Sequence, residues 1–138
     1  MNMTLKKILI LEDEPDLQTI LKIALEDVAG FEIKICSCAE EALSIALVFL
    51  PDLFTLDVML PSMDGPTFYQ LIKKNLILKD TPVIFMTAKN HPSEIDRLKK
   101  TGCLGIIKKP FDPMTLGSEI KQIWNQHFTS LQGIQNKK

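Results

Sequence analysis

Short apolar runs alternate with longer stretches in which apolar residues return every three or four positions. The runs are residues 6–11 (KKILIL), 32–36 (EIKIC), 52–56 (DLFTL), 82–87 (PVIFMT) and 104–108 (LGIIK). Four of them carry continuous apolar stretches, the pattern of parallel strands buried on both faces. Five helices are predicted between and after them. Residues 15–28 set Leu17, Ile20, Leu21, Ala24, Leu25 and Val28 on one stripe, the spacing of an amphipathic helix. Pro15 suits the first helical position, with Asp13 or Glu14 as cap. Residues 38–50 open on Ser37-x-x-Glu40, a capping-box pattern. Residues 66–76 follow the turn MDGP, and residues 93–100 start at Ser93. Residues 113–131 start after Asp112, with Pro113 first and a stripe of Leu116, Ile120, Ile123, Trp124, His127, Phe128 and Leu131. The polar end GIQNKK is expected to fray.

A strand followed by a helix, five times over, predicts an α/β fold with helices on both faces of a parallel sheet. Crossovers should be right-handed. The common doubly wound order for five strands is 2-1-3-4-5, a flavodoxin-like three-layer sandwich. Its ligand crevice lies at the carboxyl ends of strands 1 and 3.

Composition narrows the class. A chain of 138 residues, 46% of them hydrophobic, fits one domain with a full core. Sixteen Lys and Arg against 17 Asp and Glu leave a net charge of −1, which argues against nucleic-acid binding by bulk charge. No apolar run approaches the roughly 20 residues of a membrane span. The opening MNMTLKK lacks the apolar core of a secretory signal. Cys36, Cys38 and Cys103 have no CxxC spacing, so reduced thiols and a cytoplasmic location are expected.

The predicted topology gathers the strand ends. Strand 1 runs into Glu12-Asp13, strand 3 into Asp57, strand 4 into Thr87 and strand 5 into Lys109. Three carboxylates, a hydroxyl and an ammonium would then share one crevice. Clustered carboxylates either hold a divalent cation or keep one member protonated. Ligation by oxygen alone favours Mg²⁺ over zinc or copper. A carboxylate can also act as a nucleophile and form an aspartyl-phosphate. Asp57 suits that role, with Lys109 and a metal to neutralise the transferring phosphoryl group. Taken singly, each residue has an ordinary reading as a solvated loop acid, a turn residue, a β-former or a surface lysine. Their coincidence at four strand ends is what weakens those readings. Glu14 and Asp16 belong to a helix start, where the dipole favours acids. Asp64-Gly65 is a turn signal. His91 is read as a loop residue and His127 as part of a helix face.

Other functions of this fold fit less well. A nucleotide or flavin binder would need a Ser/Thr/Gly-rich phosphate loop after strand 1, where this chain has EDEPD. The P-loop pattern GxxxxGK[ST] is absent. A metal-dependent phosphohydrolase would be separated by turnover of external substrates.

The segments LILEDE, LFTLDVMLPSMDG, PVIFMTA and KKPF resemble the marker segments of the receiver domain of bacterial two-component response regulators. The resemblance covers about residues 5–128, leaving 129–138 as a polar tail or the start of a linker. It implies that Glu12 and Asp13 are the acidic pair that helps hold Mg²⁺, with Mn²⁺ able to take its place. Asp57 is then the phosphoacceptor and a metal ligand, and Met59 offers a backbone carbonyl to the metal. Thr87 is the switch hydroxyl, Ala88 the small residue beside the phosphoryl group, and Lys109 its lysine partner. The Lys109–Pro110 bond is expected cis. The implied donor is a histidine kinase or histidine phosphotransfer protein, docked near the first helix, with Gln18 and Lys22 as contacts. A downstream protein or output domain would read the switch, with no external turnover, no direct nucleic-acid contact and no membrane. A degenerate receiver that only binds proteins is the alternative within the family. Two residues depart from the common pattern. The acidic pair is Glu-Asp rather than Asp-Asp, and Ile106 stands where the family usually has Tyr or Phe. That second departure points to an altered readout through the helix 4–strand 5–helix 5 surface. The chain reads equally as a whole single-domain regulator or as a receiver cut from a longer protein.

Overall fold

A computed structural model of the chain describes residues 4–60, 63–89 and 91–136, with side chains through Phe128. The five strands are β1 (Lys7–Leu11), β2 (Glu32–Cys36), β3 (Leu53–Asp57), β4 (Val83–Thr87) and β5 (Gly105–Lys108). All pair in parallel in the order β2-β1-β3-β4-β5, as expected. The helices are α1 (Pro15–Lys22), α2 (Ala39–Phe49), α3 (Gly65–Lys74), α4 (Pro92–Lys99) and α5 (Leu116–Asn136). Every residue of β3 and β4 is buried, because these central strands are covered on both faces.

Alternate strand residues feed two cores. Leu9, Leu11, Phe54, Leu56 and Phe85 pack with α2, α3 and α4. Ile8, Ile10, Leu53, Ile84, Met86 and Ile107 pack with α1 and α5, where Leu21, Leu116, Ile120 and Trp124 meet them.

Several helix starts differ from the sequence reading. Helix α1 becomes π-helical over Ile23–Val28, and the Ala29 N–H donates to the Ala24 carbonyl at 3.2 Å. The wider turn buries Ala24 and Leu25 but turns Val28 outward, and Ile20 also lies exposed at the stripe's margin. The expected Ser37/Glu40 capping box does not form. Cys38 is the N-cap of α2, and Glu41 instead accepts the Ser37 N–H at 3.3 Å. Helix α2 ends at Leu50 in a left-handed conformation (φ 52°), just before Pro51, which disfavours continued helix. Glu14 caps α1 without a side-chain bond. His91 is not merely a loop residue: its Nδ1 accepts the Ser93 N–H at 3.2 Å and caps α4, which starts at Pro92. Asp112 accepts the Met114 N–H in a turn at 2.9 Å, and α5 begins only at Leu116. His127 is exposed rather than buried in the stripe. The side chain of Leu131 lies outside the described residues. Helix α5 continues to Asn136, past the expected end at 131. The Lys109–Pro110 bond is cis. No described helix is long and apolar enough to cross a membrane.

Candidate functional site

The register fixes which strand ends meet. Leu11 pairs with both Cys36 and Leu56, Asp57 with Met86, and Thr87 with Lys108. The next residues out, Glu12 and Lys109, therefore stand over the carboxyl edge beside Asp57. One carboxylate oxygen from each of Glu12, Asp13 and Asp57 lies within 4.8 Å of the others. Among these, Glu12 and Asp57 are buried, at 2% and 8% exposure, and Asp13 is half-buried. Lys109 bridges the two buried acids, 2.9 Å from Glu12 Oε1 and 3.3 Å from Asp57 Oδ2.

Asp57 Oδ1 accepts the Met59 N–H at 3.2 Å. Glu12 Oε2 accepts the Glu14 N–H at 3.1 Å, so Glu14 reaches the site through its backbone. Burial lifts the Glu12 pKa above the ordinary carboxylate value, and the Asp57 charge adds to this against the pull of Lys109. Burial works against the Lys109 ammonium, but its hydrogen bond to Glu12 and the Asp57 charge outweigh it and raise its pKa. The lysine is therefore a fixed cation.

The acids line an open cleft of about 520 Å³, walled also by Met59, Ala88, Lys89 and Lys109. Six of the eight residues singled out by sequence meet in its lining. Thr87 does not line it: it ends β4 next to Ala88, 1% exposed, with its Oγ1 accepting the Lys89 N–H at 3.0 Å. Ile106 stands apart. It packs against the α2–α4 core and lines a separate groove of about 350 Å³ with Ile95, Lys99 and Cys103. Lys89 was missed by sequence reasoning, because a lysine two residues past a strand carries no signal of its own. Gln18, expected as an exposed contact, is half-buried. Its amide donates to the Glu12 carbonyl at 2.6 Å and to Ser37 Oγ at 3.1 Å, tying α1 to two strand ends. Lys22 is exposed as expected.

Three converging carboxylates with no nitrogen or sulfur donor among them fit a hard divalent cation such as Mg²⁺. Nearby phosphate would meet Lys109, and Lys89 from the cleft wall.

The family model for the response regulator receiver domain matches residues 8–121. The response regulator Rre1 of Synechocystis is 30% identical over 116 residues, covering 84% of this chain and 50% of that protein. The alkaline phosphatase synthesis transcriptional regulatory protein PhoP of Bacillus subtilis is 34% identical over 120 residues, covering 86% and 48%. The chain thus spans about half the length of the curated relatives it matches. The chemotaxis response regulator CheY4 of Vibrio cholerae superposes with a TM-score of 0.78 at 28% identity, covering 87% of this chain and 99% of that one. With a family match running from β1 into α5 and a receiver-like fold carrying the acids at its carboxyl edge, the chain belongs to the response regulator receiver domains.

Proposed function

We propose that Asp57 accepts a phosphoryl group from a partner histidine kinase or histidine phosphotransfer protein, and that this switches the chain's protein contacts. The observation that carries the reading is the placement of Asp57. It is nearly buried at the floor of the cleft, 3.3 Å from a fixed ammonium and grouped with two further carboxylates.

An Asp57 carboxylate oxygen attacks phosphorus, a P–O bond forms, and the P–N bond to the donor imidazole breaks. The leaving nitrogen keeps the bond's electron pair, so an imidazole that carries its proton on the other ring nitrogen departs neutral. Lys109 stays protonated and meets the growing charge on the phosphoryl oxygens. Thr87 uses its oxygen to accept the Lys89 N–H, so its own O–H remains free to donate to the phosphoryl group. Ala88, exposed on the cleft wall, leaves room beside it. Glu12, Asp13, Asp57 and the Met59 carbonyl would hold Mg²⁺, or Mn²⁺ in its place. When bound, the cation supplies charge neutralisation between the carboxylates and the phosphoryl oxygens. The added charge and acceptor oxygens bias a two-state equilibrium that a downstream protein or output domain reads.

In this reading the receiver unit spans 5–128, and 129–138 form a tail or the start of a linker. The protein works in the cytoplasm, handles only its own phosphate, and contacts neither nucleic acid nor membrane directly. Lys22 on α1 faces the phosphodonor partner. The test is incubation with Mg²⁺ and acetyl phosphate, followed by intact mass. One added phosphoryl group is expected, absent in Asp57→Ala. No gain where a control receiver is labelled would sink the proposal, and a gain that persists in Asp57→Ala would move the site.

A further inference from the structure

Gly65 opens α3 and is buried, although Asp64-Gly65 reads in the sequence as an ordinary turn. Its N–H donates to the Val58 carbonyl at 3.0 Å, and the Val58 N–H donates to the Met86 carbonyl at 3.2 Å. A methyl group on Gly65 would lie 2.7 Å from the Asp57 carbonyl oxygen, 3.1 Å from the Val58 Cα and 3.2 Å from the Phe85 ring. The first two atoms are main chain. The third belongs to a fully buried ring. No flexible side-chain end can move aside, so either the end of β3 or the start of α3 must shift.

Neither element is loose. The end of β3 is held to β4 through Asp57 and Met86. The start of α3 is held by Asp64, whose carboxylate accepts the Thr67 N–H at 2.8 Å, and by buried Phe68. Helix α3 thus sits directly on the peptide that joins Asp57 to Val58, with the Met59 carbonyl one residue further on.

We propose that Gly65 is a positioning residue for the phosphoacceptor site: by lacking a side chain it lets α3 seat on the Asp57–Val58 backbone, which sets Asp57 and the Met59 carbonyl in place. This rests on the reading of Asp57 as phosphoacceptor and metal ligand. Small displacements of a reacting group are costly to rate, and groups that orient metal ligands affect affinity strongly.

Gly117 supplies a control. A methyl there would lie 2.4 Å from Ala29 Cβ, a severe clash between α5 and the end of the π-helical turn. Gly65→Ala and Gly117→Ala should both lower the urea midpoint. At a temperature where circular dichroism shows both folded, Gly65→Ala should weaken Mg²⁺ binding by about tenfold in calorimetry. Its labelling by acetyl phosphate at saturating Mg²⁺ should slow by a similar factor, while Gly117→Ala stays within about twofold of the parent in both. Parent-like metal binding and labelling in Gly65→Ala, or equal losses in both variants, would overturn the proposal. A parent protein that is never labelled overturns the reading of Asp57 and the Gly65 proposal with it. If Gly65→Ala does not fold, amide exchange on the parent decides. Mg²⁺ should slow exchange at Gly65 and Val58 by about threefold relative to Gly117, and unchanged protection there rejects the idea.

Discussion

Strand β3 has an aspartate at each end, and the two meet opposite circumstances. Asp52, just before the strand, accepts the Lys6 N–H at 3.0 Å and the Lys7 N–H at 2.9 Å. Its charge is spent on holding the start of β1. Asp57, at the other end, accepts one N–H at 3.2 Å and shares Lys109 with Glu12. Two other carboxylates crowd it. The same side chain is held by two main-chain amides at one end of the strand, and by one amide and a shared ammonium among other carboxylates at the other.

Exchanging their fates should break the contrast if it is wrong. Asp57→Asn is expected to abolish labelling by acetyl phosphate while costing less stability than Asp52→Ala. Asp52→Ala removes the acceptor of two amides, one exposed and one half-buried, and should cost about 1 kcal/mol in urea unfolding, with labelling retained. Loss of labelling in Asp52→Ala at a temperature where it remains folded would mean that the two ends of β3 are not independent.

The contrast also shows what a sequence can disclose. Continuous apolar runs gave strands and parallel pairing, and parallel pairing placed Glu12, Asp57, Thr87 and Lys109 on one edge. That reasoning needs only element order and strand ends. The cleft's further features depend on approaches through space. Gly65 touches the Asp57 peptide across eight residues of chain, and nothing local marks the contact. Gln18 looked free on a helix face until the ends of β1 and β2 were placed beside it. Ser37 and Glu40 had the right spacing for a capping box, but Glu41 had the better reach. Cap chemistry is decided by where the chain enters the helix, and tertiary packing sets that.

A second ionisable group at the same sheet edge sharpens the comparison. Cys36 ends β2 and is fully buried. Where Asp57 has an ammonium, Cys36 has the Glu41 carboxylate nearby. Burial first, and then the Glu41 charge, push its thiol up to about 12. The folded chain therefore keeps this proton at a pH where the unfolded chain gives it up. Stability from Cys36 is complete below its ordinary thiol value and is lost as pH rises toward 12. The slope approaches about 1.4 kcal/mol per pH unit. Burial raises the Tyr69 and Cys103 values as well, so the difference between parent and Cys36→Ala isolates this thiol. Urea midpoints between pH 8 and pH 10.5 should fall more steeply in the parent. Parallel curves would show that the Cys36 proton is not held.

The smallest effect concerns two buried threonines, each 1% exposed. Thr87 has its Oγ1 satisfied by the Lys89 N–H. Thr55 sits between Ile10 and Ile84 in the register, inside the apolar layer under α1 and α5. Among the described residues its Oγ1 has no hydrogen-bond partner. An unpaired buried hydroxyl costs free energy that valine, of nearly the same shape, does not. Thr55→Val should therefore raise stability by about 1 kcal/mol and leave labelling unchanged. Thr87→Val removes an acceptor from a buried site and should lower stability by a similar amount. Opposite signs are the outcome expected from paired urea titrations. A loss in Thr55→Val would mean that its hydroxyl has a partner, such as a buried water, and a gain in Thr87→Val would mean that the Lys89 N–H bond contributes nothing.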